Sequence, residues 1–156
     1  HGGSGDVGTI AIQIAKERGI DVVATASAKN QSYLESLGAT AVVYGPGLTE
    51  RLQAIHPAAF DASVDMVGTE EATQAALATV STTGIIATIA GIPVSSSRVQ
   101  SIWVKRNTGN LKFVVEGVAE GRFTWEIDKT FPFAQAADAY NHILEGHTRG
   151  KNVLTF

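Results

Sequence analysis

The chain opens His1-Gly2-Gly3-Ser4-Gly5-Asp6-Val7-Gly8, and the reading of this stretch decides the fold. Gly3, Gly5 and Gly8 fit the spacing G-x-G-x-x-G, while Gly2, Gly5 and Gly8 fit the looser G-x-x-G-x-x-G. Glycine at these places permits backbone angles closed to other residues, lets the main chain approach a pyrophosphate, and allows a following helix to pack close. The free amides and the dipole of that helix then face the anion. A chain with 16 glycines produces such spacings by chance, so the surrounding pattern has to decide.

Working outward, Val7, Ile10, Ala11, Ile14 and Ala15 recur at helical spacing, which predicts a helix over Val7 to Lys16, stopped by Gly19. Residues Asp21 to Ala26 are mostly small or β-branched, the composition of a strand covered on both faces. The same alternation predicts helices over Asn30 to Leu37, Leu48 to His56 and Glu70 to Val80, and strands over Ala41 to Tyr44, Ala62 to Val67 and Gly84 to Ala90. Short connections between alternating strands and helices imply right-handed crossovers on a mostly parallel sheet. The expected fold is therefore α/β, a doubly wound Rossmann-like sheet with helices on both faces, filling residues 1–156 as one dinucleotide-binding domain. Beyond Pro93 the pattern loosens to a Ser-rich loop over Val94 to Arg98. A strand over Gln100 to Lys105 and a helix over Asn110 to Glu120 follow. The tail from residue 123 carries Phe131-Pro132-Phe133, a helix over Ala134 to Glu145 and a strand over Asn152 to Phe156.

In a dinucleotide fold a strand immediately precedes the glycine loop, whereas here the loop is reached by residue 2 or 3. The expectation is that the first, central strand is missing from this chain, a piece of a longer protein. Hydrophobic residues make up 44% and charged residues 17%, within the range of folded globular domains. A net charge of -3 without a Lys/Arg cluster gives no electrostatic grip on a nucleic acid. The longest apolar run, Gly84 to Val94, has about half the length needed to cross a bilayer, and no secretion signal opens the chain, so no membrane partner is expected. The absence of cysteine removes disulfides and thiolate chemistry from these residues and suits a cytoplasmic setting.

Cofactor choice is read at the end of the second strand of the fold, where an acid would hold the ribose 2′-hydroxyl of NAD. The sequence there is Ala26-Ser27-Ala28-Lys29-Asn30, offering a hydroxyl, an amide and a cation that suit the 2′-phosphate of NADP; an ordinary helix cap and a solvated lysine are the structural alternative.

The ordered set Gly2 to Gly8, Val23 to Ser27, Leu37-Gly38-Ala39, Phe60-Asp61 through Val67-Gly68, and Gly146 to Lys151 resembles the medium-chain dehydrogenase/reductases, in particular their zinc-independent quinone oxidoreductase branch. The resemblance implies a six-stranded Rossmann domain whose loop Gly3, Ser4, Gly5, Asp6, Val7 and Gly8 holds the pyrophosphate of NADPH. It implies that Ser27 and Lys29 meet the 2′-phosphate and that Val67, Gly68, Gly91 and Ile92 line the nicotinamide half of the groove. Enzymes of this branch pass a hydride from NADPH to a quinone or an activated double bond such as an enone. Their catalytic groups come largely from an N-terminal GroES-like domain, toward which the tail over 123–156 would return. No catalytic residue is therefore assigned, and the isolated chain is expected to be inactive. A homodimer is the expected assembly, with Gln100 to Lys105 as a pairing edge.

Asp6 departs from the family pattern, because a carboxylate beside a pyrophosphate is repulsive unless it turns to solvent or pairs with a cation. Arg149 and Lys151 either approach the cofactor or only end a helix. His56, His142 and His147 have no convergent partners at ligand spacing, so no metal is expected in this chain. Glu70-Glu71 suits a helix N-terminus, and Trp103 and Trp125 read as packing or interface aromatics. The competing readings are the cofactor domain of a zinc-dependent alcohol dehydrogenase, a methyltransferase-like module, and a non-catalytic nucleotide-binding or dimerisation module.

Overall fold

Successive apolar residues along a short strand point to opposite faces and must be covered from both sides, and helices on either side of a parallel sheet provide that cover. The computed structural model describes residues 1–91, 96–146 and 148–156. Helix α1 (Asp6–Glu17) leads to strand β1 (Val23–Ala26), and α2 (Gln31–Ser36) to β2 (Thr40–Val43). Then come α3 (Leu48–Ile55), β3 (Phe60–Asp65), α4 (Glu70–Thr79), β4 (Val80–Thr88), β5 (Val99–Ser101) and α5 (Thr108–Ala119). The chain closes with β6 (Ile127–Pro132), α6 (Ala136–Leu144) and β7 (Lys151–Thr155).

All pairings are parallel: β1 with β2, β3 with β4, β4 with β5, and β6 with β7. His1 to Gly3 run between β1 and β3. The Gly3 amide donates to Thr25 O at 2.9 Å, the His1 nitrogen donates to Val64 O at 2.7 Å, and the Met66 amide donates to His1 O at 3.3 Å. Below these residues lies a cavity of about 250 Å³ whose walls include Val23, Ala24, Ala62 and Val64.

The strands form three hydrogen-bonded parallel sheets, β1-β2, β3-β4-β5 and β6-β7, and the two faces can be followed on β1. On β1, Ala24 and Ala26 pack with Ile12, Leu34 and Ala39 beneath α1 and α2, while Val23 faces the opposite cluster of Val42, Leu48, Leu52 and Ala75 beneath α3 and α4. This period-two division, with helices on both sides, is the doubly wound arrangement expected from the sequence. A third cluster, Ala76, Val80, Ile86 and Val99, ties α4 to β4 and β5.

Boundaries differ where tertiary contacts outweigh local pattern. The helix expected over Asn30 to Leu37 begins as a 3₁₀ turn, Ala28–Asn30, before α2. Strand β4 starts at Val80, four residues before the expected Gly84, because Val80 pairs with Phe60 ahead of a register shift. The strand expected over Gln100 to Lys105 is only Val99–Ser101: the Ile102 amide still donates to Thr88 O at 2.8 Å where β4 ends, and among the described residues no strand lies alongside Trp103 to Lys105, which are exposed. Strand β6 was not anticipated: only Phe131 in it is buried, so it carries almost no hydrophobic signature. Of the expected Ser-rich loop, Val94 and Ser95 lie outside the described residues.

The segment after α5 docks on α1 by polar contacts. Gln13 Nε2 donates to Thr124 O at 2.8 Å and the Thr124 amide donates to Gln13 Oε1 at 2.7 Å, so one side-chain amide pairs like a strand. Arg122 reaches Glu17 at 2.6 Å.

Leu34 is fully buried at the centre of the first cluster. Leu34→Ala is expected to cost about 2–5 kcal/mol in urea unfolding through the cavity it leaves, whereas a loss below about 1 kcal/mol would mean that α2 does not anchor that face.

Candidate functional site

The glycine loop is shaped by two close approaches and one opening. A side chain on Gly8 would place its Cβ 2.3 Å from Gly2 O and 2.8 Å from Gly3 Cα, and one on Gly3 would meet Ala24 Cβ at 2.9 Å. These two glycines are demanded by packing. Gly2 takes φ 79, a left-handed angle. Gly5 differs: it has an ordinary extended backbone, and an added Cβ would meet only Gly2 O, at 3.4 Å. Neither conformation nor packing requires glycine there, and Gly5 borders the cleft. It is also the N-cap of α1, and no side chain caps that helix, so its first-turn amides have no side-chain acceptor at the cap.

Asp6, the residue out of keeping with an anion site, is turned aside and neutralised. Its Oδ1 accepts from Trp125 Nε1 at 2.8 Å and its Oδ2 meets Lys151 Nζ at 2.5 Å. The tail binds the loop by main chain as well. The Gly150 amide donates to Ser4 O at 3.1 Å, and Gly150 bridges Gly5 in parallel. On the other side, buried Asn30 donates from Nδ2 to Ser4 Oγ at 3.2 Å.

These contacts frame a cleft of about 650 Å³, within the range of small-molecule sites. Of the residues singled out from the sequence, Ser4, Gly5, Ser27 and Val67 line it. Gly3 and Gly8 face the cavity between β1 and β3 instead. Asp6 points to the tail, and Val7 is exposed on α1. Lys29 is exposed on the 3₁₀ turn and is not part of the cleft wall, while Ser27 caps that turn without a side-chain capping bond. Val67 and Gly68 form the turn after β3, their amides held by buried Asp65 Oδ1 at 2.9 and 3.1 Å. Gly91 is exposed after β4 with φ 67, and Ile92 lies outside the described residues.

The wall also contains Tyr44, Leu48 and Thr69, which the sequence did not single out, and Glu71, which it read only as suiting a helix N-terminus. These four close the end beyond β2, where Glu71 Oε2 accepts from the Gly45 amide at 2.9 Å. Glu71 is thus a loop brace rather than half of an acid pair. Thr148 and Gly146 bring the tail to the same cleft, and Thr148 Oγ1 is buried with no hydrogen-bond partner among the described residues. The burial of Asn30 and the orphaned hydroxyl of Thr148 have no signature in a single sequence.

Of the remaining polar candidates, His56, His142 and Arg149 are not on the cleft wall. His56 lies against the Phe60 ring at 4.7 Å, His142 Nε2 meets Asp128 at 2.8 Å, and His147 lies outside the described residues. No group of three His, Asp or Glu residues suited to a metal gathers among the described residues, and the chain has no cysteine. Arg149 pairs with Glu126 at 2.6 Å and lies over the Tyr33 ring at 4.8 Å.

Comparison with known proteins gives a consistent result. The family model described as zinc-binding dehydrogenase matches residues 37–154. The human mitochondrial NAD(P)H oxidoreductase RTN4IP1 is 29% identical, with 98% of this chain and 46% of the relative aligned. The chloroplast envelope quinone oxidoreductase homolog of Arabidopsis thaliana is 28% identical over 97% of this chain and 50% of its own length. The solved quinone oxidoreductase of Coxiella burnetii superposes with a TM-score of 0.85 at 29% identity, over 100% of this chain and 51% of that one. The chain thus spans about half the length of the curated relatives it matches.

The contrast between the two kinds of glycine can be measured by thermal denaturation. Gly8→Ala is expected to lower the melting temperature by several degrees, because backbone atoms must give way, while Gly5→Ala leaves it within about two degrees of the parent. Equal losses would show that Gly5 too is held by packing.

Proposed function

Because the chain belongs to the zinc-binding dehydrogenase family of the medium-chain dehydrogenase/reductases, we propose that its cleft holds NADPH for an enzyme that reduces a quinone or an activated double bond. The observation that carries this reading is Gly5: a glycine that neither angle nor packing requires, at an uncapped helix mouth on the cleft wall. Room for a Cβ that the sequence leaves empty is what close approach of a diphosphate needs. The α1 amides and Ser4 would meet the pyrophosphate. Tyr44, Leu48 and Thr69 would enclose the adenosine end, and Val67 would cover the cleft beside His1 and Met66.

Preference for NADP rests on Ser27 at the end of β1, where no acid stands to accept from a ribose hydroxyl. Glu71, on the same wall, is engaged by the Gly45 amide. Lys29 adds positive charge from the exposed face of the adjoining turn. Pairing Asp6 with Lys151 removes the repulsion that its carboxylate would exert on the phosphates. When bound, the reduced nicotinamide supplies the hydride; the described residues orient and shield it, and the groups that position an acceptor belong to the remainder of the parent enzyme.

A zinc-dependent alcohol dehydrogenase is the second reading, favoured by the family description. The donor set for zinc is not gathered among the described residues, so its ligands would have to come from elsewhere in the parent. For assembly we propose a homodimer, supported by the exposed apolar run Ile102, Trp103 and Val104 after the short edge strand β5.

Fluorescence titration of the full-length protein should show NADPH binding more tightly than NADH. Gly5→Ala is expected to weaken NADPH roughly tenfold at an unchanged melting temperature, and Ser27→Ala with Lys29→Ala to narrow the preference. Equal affinity for both nucleotides would overturn the NADP assignment, and no binding of either would overturn the site. Light scattering tests the assembly: the parent should have the mass of a dimer, and Trp103→Asp with Lys105→Glu should reduce it to that of a monomer. A monomeric parent removes the edge as an interface.

A further inference from the structure

We propose that Thr148 is a cofactor-binding residue, its hydroxyl turning into the cleft to donate to a phosphate oxygen of the dinucleotide at the glycine loop. This rests on the reading of the cleft as a nicotinamide dinucleotide site.

The first observation is position. Thr148 lines the cleft, and two residues further on Gly150 donates to Ser4 O and bridges Gly5. Two residues of extended chain span at most about 7 Å, which puts Thr148 beside the helix mouth of α1 rather than at the adenosine end beyond β2. The second observation is chemical. Thr148 Oγ1 is buried and finds no hydrogen-bond partner among the described residues. A hydroxyl removed from water without a partner bears a desolvation cost that nothing in the free protein offsets, and such groups are rare in native folds. Rotation about χ1 exchanges the hydroxyl with the methyl group and would bring a donor to the cleft side.

The third observation is elimination. The tail carries two cations that could grip phosphate, yet Arg149 is held by Glu126 and the Tyr33 ring, and Lys151 by Asp6. With both engaged, the hydroxyl of Thr148 is the side-chain donor left to offer among the described residues of the stretch from Gly146 to Lys151. Asn152 Nδ2 and Oδ1 also lack a hydrogen-bond partner among the described residues, but Asn152 is not on the cleft wall.

The consequence is a pair of effects of opposite sign. Thr148→Val keeps the shape and deletes the hydroxyl, so the full-length protein without nucleotide should melt at the same or a higher temperature while its NADPH affinity, read by fluorescence titration, falls about tenfold. Thr148→Ser keeps the donor and should retain the parent affinity. A Thr148→Val protein that binds NADPH like the parent overturns the proposal and leaves the cofactor reading intact. One that melts well below the parent without nucleotide overturns it also, because the hydroxyl would then have a partner within the protein. If the parent itself binds neither NADPH nor NADH, the cofactor reading falls and takes the proposal with it.

Discussion

The close approach of Gly8 to the Gly2 carbonyl is the constraint on which the site depends. It folds the chain back on itself within a few residues, so that α1 starts directly beneath the segment running between β1 and β3. Any side chain at Gly8 would push the helix away from that segment, and the mouth of α1 would no longer open on the cleft. The loop is thus a packing solution first. The anion site proposed there rests on what the packing leaves bare, namely Gly5 and an uncapped first turn.

The tail completes what the loop begins. Gly150 adds to the loop as a short parallel bridge, and Lys151 and Trp125 together take up the carboxylate of Asp6. An acid that looks out of place beside the proposed phosphate site therefore acts as a tether, joining the glycine loop to β7. That tether also carries Thr148 to the cleft, so the far end of the chain builds part of the wall that its beginning opens. The side chains of Lys151 and Asp6 are both partly exposed, so the pair contributes more to geometry than to net stability.

The same logic separates residues that shape the cleft from those that face it. Buried Asp65 organises the Val67–Gly68 turn through backbone amides, Glu71 braces Gly45, and Asn30 holds Ser4. None of these needs to touch a ligand to matter. Each satisfies a main-chain or hydroxyl group that would otherwise move, and so keeps the cleft in shape without a nucleotide.

The alternation of strand and helix, the two-sided sheet and the glycine loop are legible in the residues themselves, because each rests on local periodicity or on a conformation only glycine adopts. Ser4, Gly5, Ser27 and Val67 line the cleft. The short β5, the early start of β4 and the whole of β6 are not legible, since edge exposure, register and pairing with β7 depend on what lies alongside. Nor could any pattern announce that Asp6 turns to Lys151, that Gly3 and Gly8 serve packing while Gly5 does not, or that the Thr148 hydroxyl is buried without a partner among the described residues. Those facts arise between residues more than a hundred positions apart, or from the space left around one atom, and only the assembled tertiary structure decides them.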